Sequence, residues 1–200
     1  MPTALATFPA MGFDTVSVLN DAAAAALRAA GMRFAVRYLG SLKGDEVSSI
    51  LKAGLALMPV TYSRASGWTP TGELGQEDGS SAVADAKAAG FPAGVTVWCD
   101  LEGCAGTVET TSAYVNAWAG VVRDAGFDPG LYVGSGQALD GAQLYALAVD
   151  RYWRSFSQVP DPTCGWSMIQ LYKTVTVAGT SVDVDVIQYD YRARLPNWLE

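Results

Sequence analysis

The chain has 200 residues, half of them apolar, which is enough for one sizeable core and a single domain over residues 1–200. A formal net charge of −7 without a polybasic run argues against nucleic acid or an anionic membrane as partner, because either needs a basic face. Histidine is absent, which excludes Ser-His-Asp and Cys-His catalysis and His-ligated zinc and leaves acid–base work to carboxylates, Tyr, Lys or Cys.

The opening MPTALATFPAMGFD lacks a charged n-region and a long apolar h-region, and no stretch approaches the length of a membrane span, so a soluble chain without an export signal is expected. Met11 to Val18 reads as a first strand with Asp14 near its end. Asn20 caps an alanine-rich helix that stops at Gly31, and Met32 to Leu39 is a second strand. Asp45 caps a second helix, with Val47, Ile50 and Leu51 on one face, that ends at Gly54. Leu55 to Tyr62 is a third strand, in which Pro59 has no amide hydrogen for a regular ladder.

Ser63 to Gly79 reads as the longest loop, and Ser80 opens a third helix through Ala82, Val83, Ala86 and Ala89 to Gly90. The run Val95 to Glu102 is a fourth strand. A helix over roughly Thr110 to Ala125 sets Tyr114, Ala117, Trp118 and Val121 on one stripe, expected to be core. Four more strands follow at Gly130–Gly134, Arg151–Phe156, Ser167–Tyr172 and Val182–Gln188. Leu199-Glu200 is expected to lie outside the fold, as a vector-derived tail.

Four helices end in Ala-Gly followed by a large apolar residue: Met32, Leu55, Phe91 and Phe127. A glycine stop with a hydrophobic residue behind it, each time leading into a strand, is a β-α repeat. About eight apolar strands alternating with helices point to an α/β fold of parallel strands, closed as a compact (β/α)8 barrel of the TIM type. No glycine-rich dinucleotide or phosphate loop follows a strand, which removes the open, nucleotide-binding alternative. Between Phe156 and Val182 there is little room for full helices, so short or irregular crossovers are expected in the last third. The three cysteines form no zinc-spaced set. Cys99 reads as core, and a Cys104–Cys164 bridge stays open, although an odd count without a leader suits reduced thiols.

The fourth strand carries the chemistry. Side chains alternate, so Thr96, Trp98, Asp100 and Glu102 share one face while Val95, Val97, Cys99 and Leu101 form an apolar one. Two acids at the end of a buried strand repel each other, an arrangement that suits a protonated acid but also describes an ordinary polar strand end. In a closed barrel the first and last strands are neighbours, so Asp14, Asp100, Glu102, Asp183 and Asp185 converge on one mouth. Tyr62, Trp98, Tyr132, Trp153, Gln170 and Tyr172 are strand residues that either line this pit or pack the barrel.

Phe13-Asp-Thr15, Asp100-Leu-Glu102, Ile169-Gln-Leu-Tyr172 and Val182-Asp-Val-Asp185 together resemble the signatures of the family 25 glycoside hydrolases, the barrel lysozymes that cut peptidoglycan. With Arg37-Tyr-Leu39, Pro59-Val-Thr-Tyr62 and Leu131-Tyr-Val-Gly134 added, the chain more closely resembles the glycoside-hydrolase-like domains of actinobacteria and their phages. The resemblance runs from about Gly12 to Tyr189, and it departs at Ser63, Ile169 and Asp185, where the lysozymes usually carry His, Trp and Asn. It implies that Glu102 is the proton donor to the glycosidic oxygen. It also implies that Asp100, Asp14 and Asp183 orient the 2-acetamido group or stabilise positive charge at the anomeric carbon, and that Asp185, Arg37, Tyr62, Trp68, Trp98, Tyr132, Gln170 and Tyr172 bind substrate. No cofactor or metal is implied, and the partner is a cell-wall polysaccharide, reached from a phage or by another export route.

With no histidine or nearby lysine, the crowded acids should raise at least one pKa, and Glu102 has the longest reach. Same-face neighbours on a strand have Cα atoms about 6.6 Å apart, so a carboxylate nucleophile and a neighbouring-group mechanism both stay open. Two other functions compete with hydrolysis: a barrel that binds wall glycan without cutting it, and a carboxylate site for Mg²⁺ or Ca²⁺. The Ser63–Gly79 segment is expected beside the cleft as wall or lid, with Trp68 either stacking on sugar or anchoring the loop.

Overall fold

A computed structural model describes residues 2–62 and 64–200. A short strand β1 (Thr3–Leu5) leads into β2 (Ala10–Thr15), α1 (Asp21–Ala29), β3 (Phe34–Tyr38), α2 (Gly44–Lys52) and β4 (Ala56–Val60). Then come α3 (Gly72–Ala88), β5 (Thr96–Leu101), α4 (Val108–Asp124), β6 (Asp128–Val133), α5 (Gly141–Tyr145) and β7 (Arg151–Arg154). The chain finishes with β8 (Met168–Val177), β9 (Thr180–Ile187) and β10 (Asn197–Leu199). Strands β2 to β9 form a closed barrel, ordered β4-β3-β2-β9-β8-β7-β6-β5 and sealed by the β4–β5 pairing.

The expected eight-stranded barrel with intervening helices is therefore the fold, with one strand reversed. Strand β9 runs antiparallel to both β8 and β2, where a parallel strand was expected. The cause is the turn at Ala178-Gly179, both with positive φ (48° and 82°), which is the geometry of a two-residue hairpin and leaves no length for a crossover helix. The short connections expected in the last third are present: α5 has five residues, and β7 reaches β8 without a helix.

Alternation along the strands builds two apolar layers. Outward residues such as Val95, Val97, Cys99 and Leu101 pack under the helices with Leu27, Ile50, Trp118 and Val122. Inward residues, among them Phe34, Val36, Met58, Trp98, Trp153 and Ile187, fill the barrel, and Leu195 and Trp198 close its lower end. The Trp198 ring lies 6.0 Å from Phe34, and Leu199 is fully buried and pairs with Leu57. Residue 199 is thus part of the core, against the expectation of a tail outside the fold.

Local chemistry explains most element ends. Asn20 caps α1 through its side chain, and Gly31, Gly54, Gly90 and Gly126 stop helices with positive φ as expected. The cap of α2 is Lys43, not Asp45; Asp45 lies in the first turn, where its charge favours the helix dipole. Helix α3 begins at Gly72, capped by Thr71, eight residues before the expected start at Ser80. Gly75 and Gly79 read as loop residues, yet they let α3 approach α4: a Cβ at Gly75 would overlap the Tyr114 carbonyl, and one at Gly79 would press on Trp118 and Val121. On α4 the buried stripe includes Tyr114 and Trp118 as expected, with Val115, Ala119 and Val122, while Ala117 and Val121 flank it. Pro59 stays in register with β3, whereas β4 meets β5 through the single pair Val60–Trp98. All three cysteines are unpaired.

Candidate active site

The acids meet at the upper mouth because the strands deliver them there. Asp14 lies at the end of β2, directly opposite Asp183 of β9. Asp185 sits two residues deeper on the same face of β9, since that strand enters the barrel from the mouth. Gln170 of β8 ties the group together. Its Nε2 donates to Asp14 Oδ2 (2.9 Å) and Asp183 Oδ2 (3.0 Å), while its Oε1 accepts from the Phe156 amide (3.0 Å). Below it, Trp153 Nε1 donates to Asp185 Oδ1 at 2.9 Å. Asp14, Asp100, Gln170 and Asp185 are all buried.

Across the mouth, β5 supplies Asp100, whose amide donates to Thr61 Oγ1 (3.0 Å) and whose Oδ1 is enclosed without a partner among the described residues. Glu102 follows β5 and is half-buried, within reach of solvent. Its backbone carbonyl accepts the Trp68 indole N–H (2.9 Å). Its side chain has room because residue 134 is glycine; a Cβ there would overlap Glu102 Cβ and crowd Oε2. Beside Asp14 and Asp183, Thr15, Tyr38, Ser181 and Val182 help enclose a recess of about 270 Å³.

Burial dominates the electrostatics. It pushes Asp14 up to about 7, helped by the charge of Asp183 and opposed by hydrogen bonds from Gln170 and Asp185. Asp100 is raised well above the ordinary carboxylate range, first by burial and then by Glu102 and Asp14. Asp185 is raised well above it too, by burial and by Asp14. Tyr38 and Tyr132 are pushed up by burial and the same carboxylates, so both face the site as neutral phenols. Lys173 of β8 is close enough to favour the ionised forms of Asp14 and Asp100, where no nearby lysine was expected. Among the described residues, no group of three or more Asp, Glu or Cys is spaced to hold a metal ion, and no helix is long and apolar enough to cross a membrane.

Residues 25–192 match the family model described as the Rv2525c-like, glycoside hydrolase-like domain. The chain belongs to that family. The matched segment contains Asp100, Glu102, Gln170 and Asp183, while Asp14 lies upstream of it. Solved structures share the fold of this glycoside hydrolase-like domain. An uncharacterized protein of B. stearothermophilus has a TM-score of 0.71 at 20% identity, covering 90% of this chain and 96% of its own. A bacterial lysozyme from Streptomyces coelicolor has 0.59 at 14%, covering 92% and 94%. The catalytic domain of the endolysin ply40 from a Listeria monocytogenes bacteriophage has 0.57 at 13%, covering 92% and 95%. Among curated proteins, none matches the sequence.

Not every residue singled out from the sequence reaches the mouth of this glycoside hydrolase-like barrel. Asp14, Asp100, Glu102, Asp183, Asp185, Tyr132 and Gln170 do. Arg37 does not: it is fully buried on the outward face of β3, paired with Glu46 of α2 (2.7 Å) and bonded to the Thr15 carbonyl. Its neighbour Tyr38 takes the inward place, on the face of Phe34 and Val36, and strand alternation alone points to it. Trp98 is fully buried beneath Asp100 against Trp153, so it forms the floor under the pit. Trp68 is the anchor of its loop, edge-on to Tyr114 (4.9 Å). The loop itself is a wall: Gly67 and Trp68 are tied by backbone hydrogen bonds to Gly103 and Ala105, just past Glu102. Ser63 lies outside the described residues.

Tyr62 and Tyr172 stay at the rim, 49% and 61% exposed. Tyr62 stacks on Tyr38 with centroids 4.9 Å apart and is held by Ser41, and Phe156 adds a third exposed ring. Phe156 was expected at the end of a strand Arg151–Phe156, but β7 ends at Arg154 and Phe156 follows it in an irregular turn, so strand alternation did not point to it.

Proposed function

We propose that this domain is a glycoside hydrolase acting on peptidoglycan or a related N-acetylated cell-wall glycan, with Glu102 as the general acid. One observation carries the reading: a half-buried, reachable carboxyl faces a deeper set of buried carboxyls across a mouth rimmed with aromatic rings. Hydrolysis of a glycosidic bond needs a proton donor for the leaving oxygen and negative charge near the oxocarbenium-like carbon. Glu102 is half-buried, and its longer side chain has the reach for the first task. Asp14 and Asp183, fixed as acceptors by Gln170, suit the second.

One role that the resemblance implies for Asp100, stabilising positive charge at the anomeric carbon, requires an ionised carboxylate. Burial and two adjacent carboxyls favour its neutral form instead, so Asp100 serves as an O–H donor, suited to the carbonyl of a 2-acetamido group. Tyr62 on the β4 side and Tyr172 on the β8 side lie four strands apart in the eight-stranded ring, hence on opposite rims. The lysozyme and endolysin likenesses support a wall glycan as substrate class.

The experiment is release of reducing ends from purified cell walls by the native protein and by Glu102→Gln. The native protein should cut, and the variant should be slower by roughly 10²–10⁴-fold, the usual loss when acid–base catalysis is removed. Equal rates would remove Glu102 from the mechanism. Binding of wall glycan by the native protein without release of ends would make the barrel a binding module.

A further inference from the structure

The hydrogen-bond network under the mouth has a fixed polarity that can be followed atom by atom. The Phe156 amide donates to Gln170 Oε1, so that amide group is oriented and its Nε2 must face the carboxyls. Both Nε2 hydrogens are then taken, one by Asp14 Oδ2 and one by Asp183 Oδ2. On the next level Trp153 donates to Asp185 Oδ1. That leaves Asp185 Oδ2, fully enclosed, with no N–H or O–H donor among the described residues. On the inner face of the β2–β9 pair Asp185 is the diagonal neighbour of Asp14, since Asp185 pairs with Gly12 and Asp183 with Asp14, and the Asp14 carboxyl is the first charge that acts on it. Two ionised carboxylates in contact would repel in a site closed to water, and a proton between them turns the repulsion into a hydrogen bond.

We infer that Asp185 is held as a neutral carboxylic acid that donates its proton from Oδ2 to Asp14, making it a positioning residue that fixes the Asp14 carboxylate against Gln170. The pair then carries one negative charge when Asp14 is ionised. The direction of the shifts agrees: the contact raises Asp185 and lowers Asp14. The surroundings leave the proton few competitors. Asp183 lies on the same strand, Asp14 on β2, neutral Tyr38 on β3 and Thr61 after β4. Asp100 and Glu102 come from β5, neutral Tyr132 from β6, Trp153 from β7, and Gln170 and the cation Lys173 from β8.

Carbon-13 NMR of the aspartate carboxyls in the native protein and in Asp185→Asn tests this directly. At pH 6 Asp185 should resonate as the acid, while the exposed Asp21 resonates as the carboxylate. Asp185→Asn replaces the O–H donor by an N–H donor of the same shape, so it should delete the Asp185 acid signal alone, leave those of Asp14 and Asp100 in place, and keep the midpoint of Asp14 near its native value. The stability profile gives a second readout. A buried acid with a raised pKa costs folding free energy progressively as pH rises from its unfolded value, near 4, to its folded value. The Asn variant should therefore gain on the native protein as pH rises from 4, with the gap smallest at pH 4. A carboxylate signal from Asp185 at pH 6, or native and variant stabilities that run parallel from pH 4 to 8, would overturn the inference. None of these readouts needs a substrate, so a barrel that cuts no glycan still tests it.

Discussion

The two halves of the barrel interior are made by the same strands and have opposite chemistry. On β2, Ala10 packs the lower half and Asp14 faces the mouth; on β5 the order is Trp98 then Asp100; on β9 it is Ile187 below and Asp185 then Asp183 above. The lower half is filled with apolar side chains and closed by Trp198, so burial there stabilises the fold without enclosing a carboxylate. The upper half buries Asp14, Asp100 and Asp185, whose charged forms are disfavoured by the same burial. Stability is concentrated at one end and chemistry at the other. Sites that break the rules of a well-packed core are where function is expected.

Glu102→Gln sharpens the contrast most. Turnover should fall by roughly 10²–10⁴-fold with the denaturation midpoint unchanged, because Glu102 belongs to the upper half and supports no packing. Trp198→Ala is the converse. It should cost about 3–5 kcal/mol of stability, measured by urea unfolding, with the activity per folded molecule preserved; a variant that stays stable but loses activity would break the division between the halves.

Asp14→Asn comes next. The folded pKa of Asp14 is raised to about 7, so its ionisation destabilises the native state increasingly as pH rises from about 4 to about 7. The Asn variant should be more stable than the native protein by on the order of 1–3 kcal/mol at pH 8, and the advantage should vanish toward pH 4. The smallest effect is expected from Trp68→Phe, which keeps the ring on Tyr114 and removes the indole bond to the Glu102 carbonyl. A loss of about 0.5–1.5 kcal/mol is expected, together with a several-fold drop in turnover that leaves glycan affinity intact. Weakened affinity instead would restore Trp68 as a sugar-stacking residue.

Short-range rules were sufficient for the eight barrel strands and the existence of the four longer helices, though not for β1, α5 or β10, and for the strand that carries Asp100 and Glu102. Period-two alternation assigned both acids and Trp98 to the inner face, and repeated Ala-Gly stops marked where helices hand over to strands. Where the resemblance pointed to Arg37, the error was one residue: Arg37 and Tyr38 are adjacent, but alternation sends one to Glu46 under the helices and the other to the mouth. The early start of α3 escaped because Gly75 and Gly79 weaken a helix taken alone. Their value lies in the close approach of α4, a contact between segments far apart in the chain.

The sequence by itself determined a β-α barrel, the pairing of its first and last strands, and the set of acids gathered at one end, because periodicity, glycine stops and chain length are local properties. Only the tertiary structure decided the reversed direction of β9, the place of Gln170 as a bridge between Asp14 and Asp183, the depth that disfavours the charged form of Asp100, and the orphaned oxygen of Asp185. Each of these depends on which groups from distant segments surround a side chain. Desolvation and hydrogen-bond polarity are set by those neighbours, and no local pattern encodes them.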